Sequence, residues 1–139
     1  EISEIEQYNW FDYVTKNKTE SIMFSIIDLK EKQLIGCCGF TYLNWTIRSA
    51  ELSIYIGFND LYIDKVLASD ACKVLFNYGF FELNFNKIWA EIYEFDDKKI
   101  DLFDSLSMKL DGKLRQNCFY NGTFYDSLCY SILHNEWKV

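Results

Sequence analysis

The residues that could do chemistry gather between Ala50 and Phe81, AELSIYIGFNDLYIDKVLASDACKVLFNYGFF. Their types spell a strand, a short loop and an amphipathic helix. The first turn of a helix leaves its backbone N–H groups without intrahelical partners, and the peptide dipoles place partial positive charge at the same end. A loop delivering the chain into that end makes a site for an anion such as a pyrophosphate. The other reactive groups are five cysteines, Cys37, Cys38, Cys72, Cys118 and Cys129. They are odd in number, lack a CxxC pair and share the chain with one histidine, His134, so no zinc ligand cluster is formed. They read as reduced thiols of a cytoplasmic protein. Cys37 and Cys38 are adjacent on a strand and point to opposite faces, a poor geometry for a disulfide. His134 reads as a surface residue.

Periodicity supplies the elements that must position these groups. Residues 1–15 have helical spacing at Ile2, Ile5, Tyr8 and Phe11 or Tyr13, which predicts a surface helix with one apolar stripe. After the polar break at 17–20, strands are expected over 23–29, 34–42 and 51–57, joined by a turn at Glu31-Lys32 and a polar loop at 44–48 carrying an exposed Trp45. A helix is predicted from Val66 to about Leu83, with Leu67, Ala71, Val74, Leu75, Tyr78 and Phe81 on its buried face and Asp64 as its N-cap. A strand follows at 86–93 with Ile88, Ala90 and Ile92 on one side. Asp96 then caps a helix whose core positions are Ile100, Phe103 and Leu106. In the tail, Asn121-Gly122 predicts a type I′ hairpin turn, because both residues tolerate positive φ, and Asp111-Gly112 predicts a bulge. The order α, β, β, β, α, β, α, β, β gives a mixed α/β sheet. Strands 51–57 and 86–93 flank a crossover helix and form a central parallel pair; the other neighbours are antiparallel.

Composition narrows the function. The chain has 139 residues, enough for a single domain, and 50% of them are hydrophobic. Its formal charge is −7 with no run of Lys or Arg, which argues against a nucleic-acid face, since phosphate neutralisation supplies most of that affinity. Acidity is compatible with amine-bearing substrates and equally with plain solubility. No apolar run reaches the ~20 residues of a membrane span, and no signal peptide is visible. The chain starts at Glu1 without Met, which predicts a missing N-terminal piece.

From about Phe24 to Trp137 the chain resembles the GNAT superfamily of N-acetyltransferases, in particular the branch of ribosomal-protein N-terminal and amino-sugar acetyltransferases. The likeness rests on Leu34-Ile35-Gly36, Ala50-Glu51-Leu52 leading into Tyr55-Ile56-Gly57, and Asn84-Phe85-Asn86-Lys87-Ile88. In the tail it rests on Gly112-Lys113-Leu114-Arg115-Gln116, Tyr120-Asn121-Gly122, Tyr125-Asp126 and Glu136-Trp137. The resemblance implies a single domain over 1–139 that lacks the first strand and helix of the family, with helices on both sheet faces. It implies transfer of an acetyl group from acetyl-CoA to a primary amine with no metal, and the amine expected is a small molecule such as a nucleotide-linked amino sugar. A protein N-terminus is the alternative, and a homodimer is compatible.

The same resemblance assigns residues. The parallel pair is expected to splay at a bulge near the end of strand 51–57, where Tyr55, Ile56 and Gly57 offer backbone to the pantetheine arm and polarise the thioester carbonyl. Asp64, Lys65, Val66, Leu67, Ala68 and Ser69 would surround the pyrophosphate, with Asp96 and Phe103 on the cofactor side. Glu51 would take the proton from the amine; the plainer reading is a strand glutamate in a salt bridge or in solvent. Tyr42, Trp45, Tyr120 and Tyr125 would line the acceptor groove, or serve packing alone. The helix bearing Trp10 and Tyr13 would border it.

Two departures stand out. The family's phosphate loop, an Arg/Gln-x-x-Gly-x-Gly/Ala run, is Ile63-Asp64-Lys65-Val66-Leu67-Ala68 here, without its basic or amide residue and its central glycine. Glycine lets backbone N–H groups approach phosphate closely, whereas Val66 adds a branched Cβ and Asp64 adds negative charge. The tyrosine that commonly protonates the departing thiolate is Phe103. These changes motivate a second reading, a degenerate domain that binds a partner without catalysis.

Overall fold

The computed structural model describes residues 3–17 and 19–138; Ile2 of the expected helical stripe and Lys18 of the polar break lie outside them. Helix α1 spans Glu4–Lys16. It starts where Ser3 and Glu6 form a capping box, each side chain bonding the other's backbone N–H. Six strands follow, β1 Ile22–Asp28, β2 Gln33–Asn44, β3 Ser49–Ile56, β4 Lys87–Tyr93, β5 Lys109–Tyr120 and β6 Thr123–Leu133. Helix α2, Leu67–Asn77, precedes β4, and α3, Asp97–Ser105, follows it. The sheet order is β1-β2-β3-β4-β6-β5, with every neighbouring pair antiparallel except β3 and β4. This is the mixed sheet with a parallel centre that the sequence predicts.

Strand alternation sends one set of side chains into a single core. Phe40, Ala50, Leu52, Ile54, Ile56, Ile88, Ala90, Ile92, Tyr130 and Ile132 are buried under α2 and α3. Phe40 meets Phe85 edge to face, with centroids 5.1 Å apart. Helix α1 flanks β1 and β2 on the other side, across a cavity of about 990 Å³ to which Trp10 and Phe11 contribute along with Met23, Ser25, Cys37 and Tyr55. The stripe of α1 is largely exposed: Ile5, Tyr8, Phe11 and Tyr13 all face solvent.

The buried face of α2 differs from the predicted one. Ala68, Ser69, Cys72, Leu75 and Phe76 are buried, whereas Val74 is exposed; Leu67, Ala71 and Tyr78 flank the core half-buried. A single π turn over Tyr78–Glu82 then adds a residue to the repeat. Phe80 therefore enters the core and Phe81 leaves it. The helix is apolar around much of its girth, so periodicity alone does not rank two adjacent stripes.

Asn121 and Gly122 adopt φ of 47° and 78°, the positive pair a type I′ turn requires, and join Tyr120 to Thr123. A register shift between Leu110 and Gly112 is the bulge expected at Asp111-Gly112. All five cysteines are free thiols, and Cys38 is buried while Cys37 lies on the other face, half-buried. His134 is exposed and stacks on Phe80. Among the described residues, no helix is long and apolar enough to cross a membrane.

At Gly39 the strand packs too closely for any side chain, because an added Cβ would lie 2.1 Å from the Ile22 carbonyl oxygen. That neighbour is backbone and cannot swing aside. Gly39→Ala is expected to destabilise the fold by about 1–3 kcal/mol, read as a lower urea midpoint at unchanged m-value. An unchanged midpoint would refute the tight β1–β2 approach.

Candidate functional site

The site begins where the parallel pairing ends. Ser49, Ala50 and Glu51 pair with Lys87, Ile88 and Trp89, and no further pair follows, although β3 continues to Ile56 and β4 to Tyr93. Arg48 gives its carbonyl to Asn86 N–H. Alternation then points the backbone of residues 50, 52, 54 and 56 toward β4. Beyond the last pair the Ile54 N–H and C=O therefore open into a fork. The bulge that sharpens this bend lies on β2, not at the end of β3 as expected from sequence. The β2–β3 register slips between Thr41 and Asn44, with Tyr42 at φ 47°, and runs without a shift from Glu51 to Ile56.

Glu51 sits at the crotch of the fork on the face away from the main core. Its Oε2 accepts a hydrogen bond from the Thr41 hydroxyl at 2.9 Å. Burial raises its proton affinity above the ordinary carboxylate value. The Thr41 hydroxyl and the Glu91 N–H pull it back, the Glu91 carboxylate adds to the rise and Lys99 opposes it. Glu91, two residues beyond Trp89, shares this face; its Oε1 accepts from Ser127 Oγ and Asn117 Nδ2, both at 2.6 Å. Ser127 is fully buried. The fork is thus flanked by two carboxylates, each held by neutral donors, beside the Trp89 ring, which lies 6.4 Å from Tyr42.

The other side of the fork carries the loop into α2. Ile56 N–H donates to the Tyr62 carbonyl at 2.8 Å, and Gly57 N–H to the Ile35 carbonyl at 2.9 Å. Tyr62 Oη donates to Asp96 Oδ2 at 2.5 Å, so Tyr62 links β3, through its carbonyl, to the start of α3, through its hydroxyl. Burial first, then this bond and the Asp96 charge, push the Tyr62 phenol well above its usual range. Asp96 also caps α3 through Lys99 N–H. Asp64 Oδ1 accepts from Val66 N–H at 2.9 Å and Leu67 N–H at 2.7 Å, the N-cap function expected of it.

The structure separates some residues that sequence reading grouped. Glu51 and Tyr42 stand together at the fork. Trp45 lies at the opposite end of the sheet, packed on Phe85, with its indole N–H on the Thr19 carbonyl. Tyr120 and Tyr125 gather around Phe95 near the end of β4, with centroids 5.3 Å and 4.8 Å away. Tyr120 borders a cavity of about 630 Å³ shared with Tyr62, Tyr93, Phe95 and Asp96. Among the cofactor candidates, Tyr55 lines the large cavity beside α1 and Val66 is exposed. Lys65 is exposed as well, while Ala68 and Ser69 are buried under the sheet. Phe103 is 1% exposed and packs on Tyr130, a core position. Sequence reading did not single out Thr41, Trp89, Glu91, Ser127 or Tyr62. Alternation from Glu51 could have placed Thr41 and Glu91 on its face once the register was known; nothing local marks Tyr62.

The family described as acetyltransferase (GNAT) domain matches residues 1–109. An N-acetyltransferase p20 of Bacillus licheniformis is 34% identical over 114 residues, 82% of this chain and 63% of that protein. A spermidine N(1)-acetyltransferase of Escherichia coli K12 is 28% identical over 102 residues, 73% of this chain and 54% of that protein. The chain thus spans roughly half to two thirds of the length of these curated relatives. Among solved structures, a spermidine N-acetyltransferase of Vibrio cholerae in complex with CoA and spermine superposes with a TM-score of 0.85 at 25% identity, covering 96% of this chain and 77% of that one.

The Glu51 environment has a consequence for stability. A carboxyl whose proton affinity is raised by folding contributes stability below its unfolded pKa and loses it as pH rises through the folded value. Glu51→Gln removes that loss, so its melting temperature relative to the unmodified chain should climb from pH 4 to pH 7. A falling difference would show that the carboxylate gains more from Thr41 and Lys99 than burial costs it.

Proposed function

The chain belongs to the GNAT acetyltransferase domain family, and from that premise we propose that it transfers an acetyl group from acetyl-CoA to a primary amine of a small cationic molecule. The observation that carries this reading is the ending of the β3–β4 pairing at Glu51. The fork brings an unpaired backbone N–H, that of Ile54, and a carboxylate of raised proton affinity to the same gap. An amine entering on the Glu51 side loses its proton to Glu51 as its nitrogen attacks the thioester carbonyl. The Ile54 N–H stabilises the oxyanion that forms. Collapse of the tetrahedral intermediate breaks the C–S bond, and the thiolate takes its proton from water, as Phe103 has none to give.

A polyamine is the acceptor class favoured here. The relatives named for spermidine support it, and so does the pair of carboxylates, Glu51 and Glu91, on the acceptor side. A nucleotide-linked amino sugar would bring phosphates toward those carboxylates at a Coulombic cost, and a protein N-terminus would bring only one charge. Free thiols suit a cytoplasmic setting. The outer edge of β1 is open to pairing with a second copy.

Steady-state kinetics with spermidine, a nucleotide-linked amino sugar and a short peptide tests the acceptor; turnover confined to the sugar or the peptide would reject the polyamine. Glu51→Gln should lower kcat/KM by about 10²–10⁴-fold near neutral pH, and an unaltered value removes Glu51 from the mechanism. A second reading, binding without catalysis, draws on Asp64, whose carboxylate already occupies N–H groups at the start of α2. It predicts no thermal stabilisation by millimolar acetyl-CoA, whereas a ligand at 100 times its Kd adds about 2.7 kcal/mol.

A further inference from the structure

The loop between β3 and α2 carries side chains and backbone groups that satisfy the very donors a cofactor would need. Ile56 N–H, on the β4 side of β3, is taken by the Tyr62 carbonyl at 2.8 Å, and the two residues form an isolated antiparallel bridge. Val66 and Leu67 N–H, the first free donors of α2, are taken by the Asp64 carboxylate at 2.9 and 2.7 Å. Tyr62 crosses the mouth of the fork to reach Asp96 at 2.5 Å, and Lys99 stands 5.5 Å from its ring centroid. Lys98 Nζ adds a bond to the Leu61 carbonyl at 3.2 Å. Ile63 is anchored in the core at 6% exposure. The loop is therefore tied to β3, to α2 and to α3 at once.

We propose that the 58–64 loop is an internal occupant of the cofactor cleft, with the Tyr62 carbonyl standing in for an amide of the pantetheine arm and the Asp64 carboxylate for a phosphate. The proposal rests on the acetyl-CoA reading above. Acetyl-CoA then binds by displacement: Tyr62 leaves Asp96 and Ile56, and Asp64 gives up the helix N-terminus. Two features make the exchange feasible. Asn59, Asp60 and Tyr62 are held at φ of 52°, 54° and 59°; Asn and Asp tolerate this region, whereas the aromatic Tyr62 adopts it at a cost, so release of the loop relieves strain there. The Ile56, Val66 and Leu67 N–H groups that lose a partner gain one on the cofactor, so the net cost lies mainly in the Tyr62–Asp96 contact and in bringing phosphate charge near the freed Asp64 carboxylate. Tyr62 and Asp64 thereby set cofactor affinity.

The test compares the unmodified chain with Tyr62→Phe and Asp64→Asn. Phenylalanine keeps the ring and removes the bond to Asp96; asparagine keeps a capping oxygen and removes the charge. Calorimetry with CoA should show each variant binding about ten-fold more tightly, the scale of one hydrogen bond to a charged group. Hydrogen exchange without CoA should show the Ile56 amide exchanging about ten-fold faster in Tyr62→Phe. If all three chains bind CoA with equal affinity, or the variants bind more weakly, the loop is not a competitor, while the acetyl-transfer reading stands. If none binds CoA, that reading falls and the loop is judged on exchange alone: faster Ile56 exchange in Tyr62→Phe upholds its closure of the fork, and equal rates overturn it.

Discussion

Three residue pairs hold β3 to β4, and the sheet's shape follows from there being no fourth. A parallel ladder normally continues as long as both strands do, because each unpaired N–H and C=O inside a protein costs free energy. Here the strands separate after Glu51 and Trp89, though both continue. The core keeps them apart: α2 and α3 pack on the same face, and Ile54, Ile56 and Ile92 fill the base of the gap. The β2 bulge at Tyr42 bends the edge of the fork and brings Thr41 against Glu51. An unpaired backbone in a half-buried gap must find partners, and those partners are what the site is made of.

On one side of the gap the partners are polar side chains. Glu51 and Glu91 are fixed by Thr41, Ser127 and Asn117, all neutral donors, so the hydrogen bonds orient them without pairing them to a cation. That arrangement favours a cation arriving from solvent. Elsewhere on the sheet, carboxylates are neutralised instead: Lys87 pairs with Asp111 at 2.5 Å, and Lys113 spans Glu94 and Asp126 at 3.3 Å each. These exposed pairs contribute little to stability. They engage Lys87 and Lys113, whereas Lys99 is a cation whose charge does reach Glu51.

On the other side the partner is the chain itself. A loop without glycine at its phosphate-facing positions would be expected to stand off from the helix N-terminus. The structure shows a closer arrangement, in which Asp64 caps α2 and Tyr62 bonds both β3 and α3. Val66 is largely solvent-exposed, so its branched side chain obstructs nothing in this conformation. Val66 itself has an ordinary φ of −86°, and positive φ falls upstream of it, at Asn59, Asp60 and Tyr62. A helix N-terminus attracts negative charge whether a ligand or a neighbouring carboxylate supplies it.

The sequence by itself determined the order of elements, the parallel centre, the Asn121-Gly122 turn and the two aspartate caps. These depend on local propensity and on periods of two or about 3.6 residues, which are written in consecutive positions. It also placed Glu51 as the residue to watch. Tertiary structure decided which stripe of α2 is buried, since a π turn and an apolar girth left two stripes nearly equal until Phe80 met the sheet. It decided that Trp45 stands apart from Tyr120 and Tyr125, because loop residues at opposite ends of a sheet carry no sequence sign of which end they occupy. It placed Glu91 beside Glu51, forty positions apart in the chain, through a register that only the assembled sheet defines. And it put Tyr62 across the fork, a contact with the start of α3 set by the path of the loop between β3 and α2 and by no feature of the residues next to it.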